Sequence, residues 1–182
     1  MTSNIFEINY NGTGASQSNN ALGMREMQER VYAKRTSQHL LIKAPPASGK
    51  SRALMFIALD KLHAQGLKKA IIAVPEKSIG KSFRSTKLTD YGFYWDWEVL
   101  SKNNLTEQGT SKSKLKQFVD FMHSESPDDR VLICTHATLR FAFEQLADSD
   151  FNDVLLANDE FHHVSQDDNS VLGNALRNIL SN

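Results

Sequence analysis

The residues with the clearest chemical potential form the segment 44–51, which reads Ala-Pro-Pro-Ala-Ser-Gly-Lys-Ser. Its last three residues supply what a phosphate-binding loop needs: backbone N–H groups free to curl around an anion, a lysine for the β- and γ-phosphates, and a hydroxyl for Mg²⁺. Ala44 stands where such loops usually begin with glycine, and two prolines stiffen the turn instead. The candidate nucleotide ligands are Ala47, Ser48, Gly49, Lys50 and Ser51.

The elements around this loop favour the same interpretation. The apolar run Leu40–Ile42 precedes it and predicts a strand, and an Ala/Leu/Met-rich stretch follows it and predicts a helix. The N-terminus of that helix would point its partial positive charge at the phosphates. The alternative is an ordinary strand-to-helix turn that ends in a serine cap.

A pair of carboxylates, Asp159 and Glu160, follows a second apolar run, Val154–Ala157. Because the run predicts a central strand, the carboxylates should emerge at the strand's carboxyl end, where a nucleotide site needs a metal ligand and a group that activates water. Asp159 would then hold Mg²⁺ together with Ser51, and Glu160 would orient or deprotonate the water. The alternative is a solvated acidic turn.

The apolar pattern along the chain predicts an α/β fold in which strands and helices alternate. The predicted strands lie at 39–44, 70–74, 131–135 and 153–157, with a further short strand considered at 91–100. The predicted helices lie at 22–35, 50–65, 79–88, 112–123, 138–147 and 170–180. Such alternation indicates a mostly parallel central sheet with helices on both faces and ligands bound beyond the carboxyl ends of the strands.

The composition is typical of a globular domain that folds without disulfides. The chain has 182 residues, of which 40% are hydrophobic and 23% charged, with a single cysteine. No apolar run approaches the roughly 20 residues that a membrane-spanning helix needs. We therefore expect a cytoplasmic protein that does not bind membranes.

The charges are unevenly distributed although the formal net charge is zero. Residues 1–120 carry 18 Lys and Arg against 10 Asp and Glu, and residues 121–182 carry 3 against 11. A basic majority could bind a polyanion, while scattered lysines are also common on a solvated surface.

Taken together, segment 44–51 as motif I and Asp-Glu-Phe-His at 159–162 as motif II resemble the superfamily 2 helicases and translocases. The resemblance is to the DExH branch, part of the wider DEAD/DEAH group, and in style to the Res-subunit helicases of type III restriction enzymes. It covers the chain from about residue 22 onward. It implies a RecA-like P-loop NTPase domain that binds and hydrolyses ATP with Mg²⁺ and acts on nucleic acid.

The same resemblance gives roles to further residues. The segment Met24–Gln28 is similar to the family's adenine-reading segment, so Gln28 would hydrogen-bond the base, although it could also be a surface residue of a helix. Lys50, Asp159, Glu160 and His162 would form the catalytic set, with His162 coupling the nucleotide site to the rest of the motor.

Two loops resemble family segments that hold the phosphates of the tracked nucleic-acid strand. They follow predicted strands and contribute Pro75, Lys77, Lys81, Thr135 and Thr138. The two threonines could instead only cap a helix. Five aromatic residues could stack on bases, but core packing is favoured for them: Tyr91, Phe93, Tyr94, Trp95 and Trp97.

The expected organisation is a flexible arm at 1–21 followed by a first RecA-like motor domain at 22–182. The resemblance implies a second RecA-like domain that these residues do not contain, so we expect a C-terminally truncated motor that alone is weakly active or inactive. It favours DNA over RNA, and nothing in the pattern specifies an oligomeric state. The alternative functions are a P-loop phosphotransferase and a catalytically silent nucleotide-binding module.

Overall fold

The computed structural model describes residues 20–107 and 111–160. Along these residues the helices and strands are, in chain order, α1 (Glu26–Tyr32), α2 (Lys50–His63), β1 (Lys69–Val74), α3 (Lys77–Gly80), α4 (Ser111–His123), β2 (Val131–Thr135), α5 (His136–Phe143) and β3 (Val154–Asn158). Short 3₁₀ turns connect them at 81–83, 89–91, 101–103 and 148–151.

The three strands form a parallel sheet in the order β2-β1-β3. Ile71 of β1 lies opposite Leu132 of β2 on one side and opposite Leu156 of β3 on the other. All six residues of β1 are buried, as expected for the central strand of a sheet that is covered on both faces.

Alternate side chains of the sheet enter two separate hydrophobic clusters. Ile72 and its neighbours on one face pack with Phe56 of α2, whereas Ile71 on the other face packs with Phe118 of α4 and Leu139 of α5. This alternation follows from the two-residue period of a strand. The expected α/β class and the parallel sheet with helices on both faces are therefore confirmed.

The expected strand at 39–44 is wrong for the described residues, where this segment has no regular structure. A strand needs hydrogen bonds from a neighbouring strand, and within the described sheet β1 pairs only with β2 and β3. Leu41 is apolar but 72% exposed, so it is not buried as a strand in the core would be. The phosphate-binding loop thus begins from an irregular segment.

The expected helix at 79–88 and the strand considered at 91–100 are also wrong. Helix α3 ends at Gly80, and the chain then turns so that Thr86 forms an isolated antiparallel bridge with Trp97. The indole of buried Trp97 donates a hydrogen bond of 2.8 Å to the carbonyl of Phe83. Because these long-range bonds use the carbonyl of Phe83 and both backbone groups of Thr86, the helix does not continue through this segment.

The other expected elements agree with the structure apart from differences at their ends. The largest difference is in the helix expected at 22–35, which in the structure is the shorter α1, Glu26–Tyr32. The expected helix at 170–180 and the arm up to residue 19 lie outside the described residues. Among the described helices, none combines the length and the apolar character required to cross a bilayer.

Candidate nucleotide site

The loop before α2 has the tight backbone that a phosphate cradle requires. Gly49 has φ +90° and forms the N-cap of α2, and Ala47 also has a positive φ of +59°. A left-handed conformation is unfavourable for alanine by about 1–2 kcal/mol, so the surrounding contacts must hold the turn in this shape. The 14-residue helix α2 then starts at Lys50 and points its unpaired N–H groups toward the loop.

The structure brings the two expected motifs together. The Nζ atom of Lys50 lies 3.1 Å from Oε1 of Glu160, a residue 110 positions away in the chain. Both side chains keep about a quarter to a third of their surface exposed, so a ligand can reach them. The expected lysine and the expected carboxylate thus share one site at the carboxyl edge of the sheet.

Asp159 lies in the same place but is much less accessible. Its backbone N–H donates to the carbonyl of Ala73 at 2.8 Å, which ties it to the end of β1, and the residue is 8% exposed. Burial raises the pKa of its carboxyl, and the negative charge of Glu160 raises it further, while the N–H of Glu160 and the charge of Lys50 act in the opposite direction. A cation near Asp159 would offset this cost by favouring the charged form.

Gln28 contacts the loop directly. Its Nε2 donates to the carbonyl of Gly49 at 3.0 Å, and its Oε1 accepts from the N–H of Arg25 at 2.8 Å. Arg25 in turn reaches the carbonyl of Ala47 at 3.2 Å. Because Gln28 is only 2% exposed, the alternative of a surface helical residue is wrong.

Two buried polar atoms suit a polar ligand at this site. Within the described residues, Oγ of Ser48 and Oδ1 of Asn158 are buried without a hydrogen-bond partner, a condition that folded proteins seldom leave uncompensated. The oxygen donors expected from Ser51 and Asp159 are of the type that Mg²⁺ prefers. The residues therefore fit a magnesium nucleotide. Sequence reasoning missed Asn158, although its position directly after an apolar strand was a usable signal.

The residues expected to bind nucleic acid lie at or just beyond the carboxyl ends of β1 and β2. Lys77 and Lys81 are exposed, and Pro75 directly follows β1. Thr135 is the N-cap of α5: its hydroxyl accepts from the N–H of Thr138 at 3.3 Å, and the two hydroxyls are 3.0 Å apart. The capping alternative is therefore observed, and phosphate contact by these threonines stays a prediction.

Lys77 and Lys81 also line a cavity of about 460 Å³ beside α3. Most of the residues that line this cavity were not predicted from the sequence, because they come from a distant turn as well as from α3. The other lining residues are Ser78, Arg84, Asn104, Thr106 and Glu107.

The remaining predictions concern His162 and the aromatic segment. His162 lies outside the described residues. Among the five aromatic residues, Phe93 and Trp97 are buried in the core, as favoured, whereas Tyr91 and Tyr94 are more than half exposed.

The site thus combines a loop at the N-terminus of α2 with a carboxylate beyond β3, and Lys50 connects the two. This arrangement is that of a P-loop NTPase domain of the RecA-like class. The family described as "Type III restriction enzyme, res subunit" matches residues 19–182. The chain belongs to this family of superfamily 2, DExH-type helicases.

One curated relative is a Bacillus subtilis (strain 168) protein named "Putative ATP-dependent helicase YeeB". It is 63% identical over 179 residues, which cover 98% of this chain and 29% of the relative. The chain thus spans less than a third of the length of that relative. No solved structure matches the chain.

Proposed function

We propose that residues 22–182 are the first motor domain of a nucleic-acid-dependent helicase or translocase and that they bind and hydrolyse ATP with Mg²⁺. The observation that carries this proposal is the 3.1 Å contact between Lys50 and Glu160, which joins the two motifs in one accessible site. Family membership supports the motor function, and it does not favour a phosphotransferase or a silent binding module.

The contact also suggests how the site changes when ATP binds. Lys50 holds Glu160 in an ion pair, and a triphosphate would compete for the lysine because it carries more negative charge. Exchange of this partner would free Glu160 to orient the attacking water. His162 would then pass the nucleotide state to the rest of the motor.

Mg²⁺ would be held by the hydroxyl of Ser51 and the carboxylate of Asp159. When bound, it neutralises phosphate charge that develops during hydrolysis. Asp159 is anchored to β1 by its own N–H, so its carboxylate needs little reorganisation to act as a ligand.

The exposed lysines in and after α3 support binding of a nucleic-acid backbone, and we propose DNA in preference to RNA. Lys77, Lys81 and Pro75 would hold phosphates independently of sequence, with Thr135 and Thr138 as further contacts. A second RecA-like domain would complete the catalytic site by supplying an arginine to the transferred phosphate. Without that arginine, hydrolysis would be slower by about 10³-fold or more, as in other nucleotide hydrolases.

Substitution of Glu160 tests the proposed chemistry. Glu160→Gln should keep ATP bound, within about threefold of the wild-type affinity, and reduce single-turnover hydrolysis by about 10²-fold or more. Glu98→Gln, at an exposed position outside the site, is the matched control. Measurable hydrolysis at equal rates in the wild type and the Glu160 variant would contradict the assigned role.

A further inference from the structure

The backbone of the phosphate-binding loop has two left-handed positions of unequal cost. Ala47 has φ +59° and Gly49 has φ +90°. Glycine adopts such a conformation easily, whereas the Cβ atom of an alanine makes it unfavourable. The turn at Ala47 therefore depends on a contact that stabilises it, and the segment that leads into α1 provides that contact.

Two side chains at the start of α1 each bind one carbonyl of the loop. The Nη1 atom of Arg25 donates to the carbonyl of Ala47 at 3.2 Å, and Nε2 of Gln28 donates to the carbonyl of Gly49 at 3.0 Å. These two carbonyls belong to the two left-handed positions. Gln28 also accepts from the N–H of Arg25 at 2.8 Å. Arg25 and Gln28 thus form one unit, the loop clamp.

The clamp affects the direction of a neighbouring N–H group. The carbonyl of Gly49 accepts from Gln28 and also from the N–H of Ala53, so both of its lone pairs are used. In a planar trans peptide the C=O and the N–H point in opposite directions. The N–H of Lys50 therefore points away from both partners, at the N-terminus of α2. An anion binds more tightly to such N–H groups when they are oriented before it arrives.

We propose that Arg25 is a positioning residue that, together with Gln28, holds the loop in the shape that binds the phosphates of any nucleoside triphosphate. The proposal rests on the proposed nucleotide-binding function and adds the residues that orient the loop. Gln28 is only 2% exposed, so its amide would have to leave Gly49 and Arg25 to reach a base. The loop clamp therefore acts on the affinity for phosphates and does not distinguish bases.

Calorimetric titration with three magnesium-loaded probes separates this role from recognition of the base. The probes are ATP, GTP and inorganic tripolyphosphate, which has no base. Arg25→Ala should weaken the binding of all three by the same factor, about tenfold, because one charged hydrogen bond to the loop is lost. Arg25→Lys keeps a charged donor and should recover most of the affinity. Arg30→Ala, at an exposed arginine of α1, should bind the probes as wild type does.

Ala47→Gly tests whether Arg25 acts by stabilising the left-handed turn. Glycine takes a positive φ without the cost that alanine meets, so the loop should then depend less on Arg25. In the Ala47→Gly background, Arg25→Ala should weaken tripolyphosphate binding by less than about threefold, because the two substitutions act on the same turn. Thermal unfolding without ligand checks that each variant is folded.

Four results would overturn the proposal. A loss confined to ATP in Arg25→Ala would show that the segment recognises the base, and unchanged affinity for all three probes would show that the clamp is not needed. Equal losses in the wild-type and Ala47→Gly backgrounds would show that Arg25 does not act through the turn. If the wild-type chain binds none of the probes, the nucleotide-binding function itself is wrong, and the clamp fails with it.

Discussion

At the scale of single residues, Asp159 illustrates a conflict between stability and function. Burial, and then the nearby charge of Glu160, raise the pKa of its carboxyl in the folded protein. The folded state therefore holds this proton more tightly than the unfolded state, and the stability gained at low pH is lost as the pH rises through the folded pKa. At neutral pH the charged carboxylate weakens the fold but is the form that the proposed Mg²⁺ site would need.

Replacement of Asp159 should separate these two effects. Asp159→Asn removes the buried charge, so at pH 7 and without nucleotide we expect Tm to rise by about 2–4 °C, equivalent to ~1 kcal/mol in a domain of this size. The gain should disappear at acidic pH, where the wild-type carboxyl is protonated. Thermal unfolding across pH measures it, with the exposed Asp90→Asn as control; a lower Tm at neutral pH would contradict the interpretation.

Asp129 shows the opposite behaviour. Burial acts to raise its pKa, but hydrogen bonds from Lys102, Ser124 and Asn103 outweigh it and hold the pKa at about 2. Because the folded pKa is depressed, this residue stabilises the fold above the unfolded pKa of about 3.9. The contribution is lost as the pH falls from about 4 to 2.

We therefore expect Asp129→Asn to reduce the free energy of unfolding by about 2 kcal/mol at pH 7. The difference from wild type should shrink below pH 4 and vanish near pH 2. Urea unfolding at several pH values measures this, and Asp128→Asn at the exposed neighbouring position is the control. A destabilisation that does not depend on pH would show that packing, and not the charge, is responsible.

At the scale of elements, the contact between α3 and the turn at 104–107 shapes the basic cavity. A Cβ atom on Gly80 would lie 2.1 Å from Oγ1 of Thr106, so the helix can approach only because this residue is glycine. The side chain of Asn104 fixes the turn by accepting from the hydroxyl of Thr106 at 2.6 Å. Helix and turn therefore form the wall of the cavity as a unit.

Gly80→Ala should destabilise the domain by about 1–3 kcal/mol through overpacking. The double variant with Thr106→Ala should recover part of this loss, because the threonine Oγ1 and Cγ2 atoms that the new methyl group meets are gone. Urea unfolding of the four proteins in the cycle measures the coupling, with the exposed Ser78→Ala as a control on α3. Additive effects of the two substitutions would argue against the contact.

The elements also show what an apolar pattern can and cannot predict. The strands at 70–74 and 131–135 were predictable because their continuous apolar runs are buried on both faces. Segment 39–44 is similarly apolar, yet pairing depends on a neighbour that local sequence does not specify. The prediction of a helix at 79–88 was wrong for a related reason: the backbone of Thr86 is hydrogen-bonded to that of Trp97, eleven residues further along the chain.

The candidate site was predictable to the extent that residue types define its chemistry. Gly-Lys-Ser and Asp-Glu carry a specific chemical pattern, so the motifs could be found in the sequence. The ion pair between Lys50 and Glu160 and the burial of Gln28 could not be found in the sequence, because both depend on long-range packing.

At the scale of the whole molecule, the packing of α2 against the sheet brings together two motifs that are far apart in sequence. In the parallel arrangement the carboxyl ends of β1, β2 and β3 lie at one edge of the sheet, so the carboxylates, threonines and lysines at or beyond these strand ends lie along that edge. The basic excess of residues 1–120 includes the lysines beside α3. Under the proposed function, this common edge would let one domain bind nucleotide and nucleic acid together.

Calorimetry can compare the affinity of the wild-type chain for ATP·Mg²⁺ with that of Lys50→Ala, which tests the proposed nucleotide site. We predict measurable binding that falls by at least tenfold in the variant, because Lys50 would provide the main positive charge for the phosphates. Tm should change little, since a partly exposed ion pair contributes at most about 1 kcal/mol. Equal affinities in two folded proteins would contradict the account.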